Sequence, residues 1–212
     1  DPALHSSAAV WCGLVAYGLQ IYCDFSAYSD MAIGTAKMIG YDLPENFNMP
    51  YLATNIADFW RRWHMTLSTW LRDYLYIPLG GNRHGTARTY VNLAATMLLG
   101  GLWHGASLNF VLWGGLHGVG LAFHKWLMVR TGGRRLLPAW AGRLFTLLFV
   151  FLAWVPFRST SWESTQLIFA RLAGLDSGGF TWWPFWLFVA AAVVVAGHLF
   201  GALVLEPWRR KG

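Results

Sequence analysis

The sequence predicts an all-α, polytopic membrane protein, and three observations lead to this fold class. Hydrophobic residues make up 56% of the 212 positions and charged residues only 12%, about half the charged share of a typical soluble domain. The apolar residues are gathered in long segments, which suits spanning helices. Basic residues are concentrated in the connectors, a pattern typical of cytoplasmic loops. This pattern argues against a nucleic-acid partner despite the net charge of +6.

Four apolar regions define the predicted membrane segments of the chain, which is interpreted over 1–212 as part of one transmembrane domain. They cover residues 8–39, 90–126, 144–157 and 183–205. Basic clusters at 83–88, 125–143 and 209–211 are assigned to the cytoplasmic side. The connector 158–182 would then lie outside, with a short helix at 162–173 resting on the interface.

The first region, 8–39, is longer than a single span requires and is polar in its middle. Its polar stripe follows helical spacing at Tyr17, Gln20, Asp24, Tyr28, Met31 and Thr35. We expect this stripe to face the bundle interior or a water-filled cavity, because acidic groups within membranes face inward and mark function. Asp24 is therefore a candidate site residue.

The stretch 55–76 is predicted to be an amphipathic or re-entrant helix. Asn55 and Asp58 form a capping pattern at its start. Too many charges follow for a spanning helix, at Arg61, Arg62, Arg72 and Asp73. Its apolar arc contains Trp60, Trp63, Leu67, Trp70, Leu71 and Tyr74. The tryptophans are interpreted as interfacial anchors or as a ligand platform, and the arginines as cytoplasmic markers or as an attraction for an anionic donor.

The region 90–126 must contain a break. Its roughly 37 residues would form a helix about 55 Å long, against a hydrocarbon core of about 30 Å. The break is predicted at Gly100-Gly101 or within 105–107, and His104 lies there.

His104 has two interpretations. It is either a core histidine bonded to a backbone carbonyl in a broken helix, or a general base that takes a proton from an attacking hydroxyl. His64 is either a surface histidine or a second site histidine that orients substrate. His117 and His124 are interpreted as packing or interfacial residues.

Other chemistries lack their sequence patterns. The closest histidine pair is seven residues apart, so the paired i,i+4 ligands of membrane di-iron enzymes are absent and no metal site is predicted. There is no G-x-S-x-G elbow for a serine hydrolase, and no Walker or dinucleotide-binding glycine pattern.

Several motifs in order make a specific resemblance. They are QIYCDFSAYSD at 20–30, LPENF at 43–47, FWRRWHMTLS at 59–68, WLRDYLYIPLGGNR at 70–83 and LLGGLWHGA at 98–106. The chain resembles the membrane-bound O-acyltransferase (MBOAT) family, in particular its bacterial polysaccharide branch, typified by alginate O-acetyltransferase. The resemblance implies a ring of helices around a tunnel, of which this chain would hold the C-terminal half.

By the same resemblance His104 is the catalytic histidine and His64 its second motif histidine. It implies an acyl thioester co-substrate, acetyl-CoA or an acyl carrier protein, with no bound cofactor. Expected partners are membrane lipid, a polysaccharide acceptor, periplasmic acetyltransferase proteins and a cytoplasmic acyl carrier. The expected location is the bacterial inner membrane, crossed several times. Candidate substrate- or donor-binding residues are Asp24, Asn55, Trp60, Arg61, Arg62, Ser68, Arg72 and Trp103.

Three alternatives remain open from the sequence. One is a non-catalytic transporter or scaffold subunit that passes acyl groups to a periplasmic acetyltransferase. The others are D-alanyl transfer and peptidoglycan acyl transfer.

Overall fold

The computed structural model describes residues 4–175, 178–181 and 184–205, and its regular structure in these ranges is helical. The α-helices are α1 (Ser7–Met38), α2 (Ile56–Trp60), α3 (Met65–Leu71), α4 (Gly85–His104), α5 (Leu108–Arg130), α6 (Ala139–Arg158), α7 (Trp162–Leu172) and α8 (Phe185–Phe200). A 3-10 turn covers Pro50–Leu52, and π-helical segments cover Arg72–Tyr76 and Gly201–Leu205. The all-α class predicted from the sequence is confirmed.

Side-chain caps mark where several helices begin. Asn55 accepts a hydrogen bond from the backbone nitrogen of Asp58 at 2.8 Å, which is the cap that the sequence predicted. Ser6 accepts from the Ala9 nitrogen at 3.3 Å and Ser161 from the Ser164 nitrogen at 3.1 Å. These acceptors satisfy N–H groups that have no partner inside their own helix.

Three helical segments are long and apolar enough to cross a membrane. They are Ser7–Met38, Ala139–Arg158 and Phe185–Leu205. The first is one uninterrupted helix of 32 residues, about 48 Å long, so its polar middle does not break it. Helices α4 and α5, with 20 and 23 residues, match a span in length but are less apolar.

The predicted break in 90–126 lies at the second of the two expected places. Helix α4 ends at His104 and α5 begins at Leu108. The two helices then pack backbone against backbone: a Cβ atom on Gly101 would collide with the carbonyl oxygen of Phe110, and one on Gly114 with that of Met97. Glycines at these positions therefore allow the hairpin to close and fix His104 at its turn.

The prediction of one continuous helix through 55–76 is wrong. Helix α2 ends at Trp60, α3 begins at Met65, and His64 between them has a left-handed backbone with φ +44°. The segment preceding α2 holds this bend, because the Asn48 nitrogen donates to the Arg62 carbonyl and the Met65 nitrogen to the Asn46 carbonyl, both at 2.9 Å. Long-range backbone bonds thus override the local helical pattern.

The bend directs two tryptophans into an aromatic core. Trp60 and Trp63 are 8% and 3% exposed, and they pack with Trp113 and Trp154, each 2% exposed. Their interpretation as interfacial anchors is wrong for this reason. Trp70, on α3, is 50% exposed and lies on the surface of the described chain.

Candidate active site around His104 and His64

His104 is the last residue of α4 and is enclosed by aromatic rings from three helices. Its ring centroid lies 5.2 Å from Trp113, 5.0 Å from Phe157, 6.0 Å from Phe110 and 5.0 Å from Trp103. The ring is half-buried. Its position is therefore set by packing against α5 and α6.

Neither ring nitrogen of His104 has a hydrogen-bond partner within the residues that the structure describes. The core-histidine interpretation expected a bond to a backbone carbonyl, and the described chain provides none. The following residue, Gly105, helps to shape this environment, because a Cβ atom there would lie 2.7 Å from the Phe110 ring. The imidazole is thus held in place while its nitrogens stay available to a bound molecule.

His64 is held differently, by a hydrogen-bonded cluster around the side chain of Asn46. The Asn46 Oδ1 atom lies 3.0 Å from His64 Nδ1, 3.4 Å from the Thr66 backbone nitrogen and 3.0 Å from Thr66 Oγ1. The backbone N–H of Thr66 can only donate, so the atom that faces it must be the amide oxygen. His64 Nδ1 therefore donates to Asn46, and its Nε2 atom carries the free lone pair.

Electrostatics keep His64 neutral. Burial, and secondarily the positive charge that His104 can carry, lower the pKa of His64 from 6.5 to about 4. At neutral pH the imidazole is therefore uncharged.

Aromatic contacts connect the two histidines. Trp63, the neighbour of His64 in the chain, packs on Trp154 with ring centroids 5.2 Å apart. Trp154 in turn packs on Phe157 at 5.2 Å, and Phe157 on His104 at 5.0 Å. These contacts form a continuous aromatic cluster from Trp63 to His104.

A third histidine, His117, packs against this aromatic cluster. It is 0% exposed, accepts a hydrogen bond at Nδ1 from Trp60 Nε1 at 3.2 Å, and packs on Trp113 at 4.8 Å. This agrees with its interpretation as a packing residue. Through Trp113 it supports one wall of the His104 environment.

The other predicted binding residues do not gather around His104. Asn55 caps α2, Ser68 donates to the Trp63 carbonyl at 3.2 Å, and Arg62 binds Asp58 at 3.0 Å, so all three have structural partners. Arg61 is exposed and lies 3.7 Å from the same carboxylate.

Three of the predicted residues line a separate, small cavity, and two lie on the surface. Ser68 and Arg72, together with Trp60, border a cavity of about 180 Å³. Trp103 touches His104 but is 66% exposed. Asp24 lies on an exposed face of α1, so the polar stripe faces away from the described helices there.

Four site residues were missed by the sequence analysis: Asn46, Thr66, Trp113 and Phe157. Asn46 stands in the LPENF motif, but nothing in the motif indicates a bond to His64 across 18 positions. Phe157 reaches His104 from α6, and no local pattern predicts such a contact. Trp113 could have been inferred from the hairpin, since an antiparallel neighbour must face the end of α4.

A helical chain with three segments long and apolar enough to cross a membrane, and with a histidine at a helix break beside an aromatic core, belongs to the class of helical membrane proteins. Comparison with known families makes this specific. The model of the MBOAT, membrane-bound O-acyltransferase family matches residues 2–158. The chain belongs to this family.

Named relatives differ in the polymer they are associated with. A probable alginate O-acetylase of Pseudomonas putida is 49% identical over 183 residues, covering 78% of this chain and 37% of that protein. A peptidoglycan O-acetyltransferase of Helicobacter pylori is 46% identical, with 78% and 32% covered. A teichoic acid D-alanyltransferase of Bacillus subtilis is 33% identical, with 52% and 31% covered. The chain thus matches about a third of the length of these relatives.

Proposed function

We propose that this chain carries the acyl-transfer site of a bacterial membrane enzyme that O-acetylates an exported, alginate-like polysaccharide, with His104 as general base. The observation that supports this most directly is the state of His104. Its ring is fixed by aromatic packing on three helices, yet its nitrogens have no partner in the described part of the chain. A general base needs this combination of fixed position and free lone pair.

In this mechanism His104 takes the proton of the acceptor hydroxyl as its oxygen attacks the thioester carbonyl carbon. The new C–O bond forms, the C–S bond breaks, and the thiolate that leaves receives the proton from the imidazolium. The surrounding rings exclude water, which would otherwise compete as the nucleophile.

His64 has a positioning role in this proposal. Because its Nδ1 proton is committed to Asn46, its Nε2 atom accepts a hydrogen bond rather than donating one. A neutral imidazole of this tautomer can orient the acceptor by accepting a hydrogen bond from a second hydroxyl of the sugar, because the one proton of the attacking hydroxyl goes to His104. It cannot polarise the thioester carbonyl, because that would require a proton at Nε2.

The remaining parts of the proposal concern the whole protein. The donor is an acyl thioester, acetyl-CoA or an acyl carrier protein that approaches from the cytoplasm. The protein crosses the bacterial inner membrane several times and works with periplasmic acetyltransferase partners. An alginate-like acceptor is favoured because alginate O-acetylases match at 47–50% identity, against 46% for the peptidoglycan O-acetyltransferase and 33% for the teichoic acid D-alanyltransferase.

The test uses the full-length protein in membranes with a labelled acyl donor. We expect His104→Gln to lower transfer to the polysaccharide by about 10²–10⁴ at unchanged protein level. His124→Gln, on the far part of α5, is the matched control and should retain transfer. Near-normal transfer by His104→Gln would remove the general base from the proposal and favour a transporter or scaffold role.

A further inference from the structure

A cavity of about 630 Å³ lies between the beginning of α1, the end of α6 and α7, and the reaction proposed above does not use it. Its size falls within the range of small-molecule sites. Its wall combines apolar residues with donors and acceptors of hydrogen bonds. The polar side chains in the wall are His5, Tyr17, Gln20, Arg158, Ser159, Thr160 and Ser164.

Arg158 supplies the positive charge of this cavity. It is the last residue of α6 and is exposed, and its guanidinium carbon lies 5.8 Å from the centre of the Tyr17 ring. Among the described residues no carboxylate forms an ion pair with it. The planar guanidinium is therefore available to an anion, and its geometry fits a carboxylate through two parallel hydrogen bonds.

The cavity lies one aromatic layer from His104. Phe157, which precedes Arg158, packs on His104 at 5.0 Å, and Trp154, which lines the cavity, packs on Phe157 at 5.2 Å. The beginning of α5, just after the turn that follows His104, also contacts the cavity rim, because Asn109 Nδ2 donates to the Ser159 carbonyl at 3.1 Å. A molecule bound in the cavity is thus held at the end of the helices where His104 lies.

We propose that this cavity binds a carboxylate-bearing sugar unit of the acceptor polysaccharide, with Arg158 paired to the carboxylate. The inference rests on the proposed function, because it concerns the acceptor of that same reaction. The Tyr17 ring offers an apolar face for the sugar, while Gln20, Thr160 and Ser164 offer partners for its hydroxyls. Anchoring one unit here keeps neighbouring units of the polymer close to His104.

The experiment measures binding to the full-length protein in nanodiscs of zwitterionic lipid. The probes are a four-unit hexuronate oligosaccharide and the same oligosaccharide with its carboxylates reduced to alcohols. We expect the carboxylated probe to bind at least about tenfold more tightly, the typical effect of a charged hydrogen bond. Arg158→Gln should remove this preference, and Arg158→Lys should keep part of it.

Matched variants and competitors decide the outcome. Arg134→Gln, an exposed arginine outside the cavity, should bind both probes as the parent protein does. Equal affinity of the parent for both probes, or an unchanged preference in Arg158→Gln, would overturn the proposal. So would displacement of the carboxylated probe by inorganic phosphate or by phosphatidylglycerol in the nanodisc, since either points to a phosphate site.

The carboxylate-binding site and the proposed acyl transfer can be contradicted independently of each other. His104→Gln should bind the carboxylated probe with unchanged affinity, because its ring does not line the cavity. Arg158-dependent binding without any acyl transfer would contradict the proposed function alone. Acyl transfer without a carboxylate preference would contradict the binding site alone.

Discussion

The imidazole rings of His104 and of His64 are held in place by different kinds of contact. His104 is held by rings from α4, α5 and α6 without a hydrogen bond to its nitrogens in the described chain. His64 is held by hydrogen bonds to Asn46 and Thr66, at a backbone position with positive φ. Packing fixes a ring without occupying its lone pair, whereas a hydrogen bond fixes the tautomer.

This difference suits the two roles proposed for the histidines, proton transfer for His104 and orientation of the acceptor for His64. A group that must gain a proton during the reaction needs an open nitrogen. A group that must orient a reactant benefits from a defined tautomer and a neutral charge, and the pKa of about 4 at His64 provides the latter. The left-handed backbone of His64 is strained for a non-glycine residue, and strain of this kind is concentrated at functional sites.

The largest expected effect is on kcat, when the imidazole of His104 and that of His64 are removed in turn. In the proposed mechanism His104 takes the proton, so His104→Gln should lower kcat by about 10²–10⁴. His64→Ala removes only orientation, so we expect a loss of roughly tenfold, about one charged or two neutral hydrogen bonds. Single-turnover transfer from a labelled donor measures both. Equal losses of kcat in the two variants would contradict separate roles for His104 and His64.

The second test concerns the packing that holds His104. A methyl group at Gly114 would collide with the carbonyl oxygen of Met97 and press on Leu98 in α4. Gly114→Ala should therefore destabilise the hairpin by about 1–3 kcal/mol, as overpacking does. Gly115→Ala is the control, because its Cβ would lie 3.8 Å from a Leu98 methyl, an ordinary contact.

Thermal unfolding of the full-length protein in detergent measures this difference. We expect a lower transition temperature and lower acyl transfer for Gly114→Ala, with little change in either quantity for Gly115→Ala. If both variants unfold at the parent temperature, close backbone packing does not determine where His104 lies.

The third test removes the orientation of His64 without touching the ring. Asn46→Ala deletes the acceptor of His64 Nδ1 and of Thr66, so either nitrogen of the imidazole can then carry the proton. Transfer should fall by roughly tenfold, mostly in kcat. Ser29→Ala, which removes only the partner of Asn46 Nδ2, should have a smaller effect. A loss confined to KM would indicate that Asn46 acts in binding instead.

The contrast also shows what the sequence could predict. The helix break at His104 followed from length and glycines alone, and the cap at Asn55 from two residues. Both depend on contacts close in the chain or on the thickness of a bilayer. The bend at His64 was missed because it depends on backbone bonds to 46–48, which a helical wheel cannot include.

The same limit applies to the site. The roles proposed for His104 and His64 rest on the ordered sequence motifs. Their surroundings could be described only from the folded structure. Asn46 lies 18 positions from His64, and Phe157 lies on a helix with no pattern linking it to His104. Of the arginines singled out between 61 and 72, Arg62 binds Asp58 and Arg72 binds Asp73. Arg158, which lies outside every motif, lines the cavity of about 630 Å³.

The smallest expected effect is on the pH dependence of stability. The unfolded chain protonates His64 near its ordinary pKa of 6.5, whereas the folded chain does so near 4. Between these values the unfolded state binds more protons, so His64 lowers the free energy of unfolding as the pH falls from about 6.5 to 4. The loss should be modest because the ring is only partly buried, and solvent screens its charge.

His64→Gln keeps an amide that can donate to Asn46 and removes the titration. We therefore expect the unfolding temperature of the full-length variant to fall less between pH 7 and pH 5 than that of the parent protein. His84→Gln, at an exposed position in the turn before α4, is measured in parallel and corrects for the removal of a histidine elsewhere. An identical pH slope in His64→Gln and the parent would mean that His64 titrates normally in the folded state, and the neutral, orienting imidazole would then lose its physical basis.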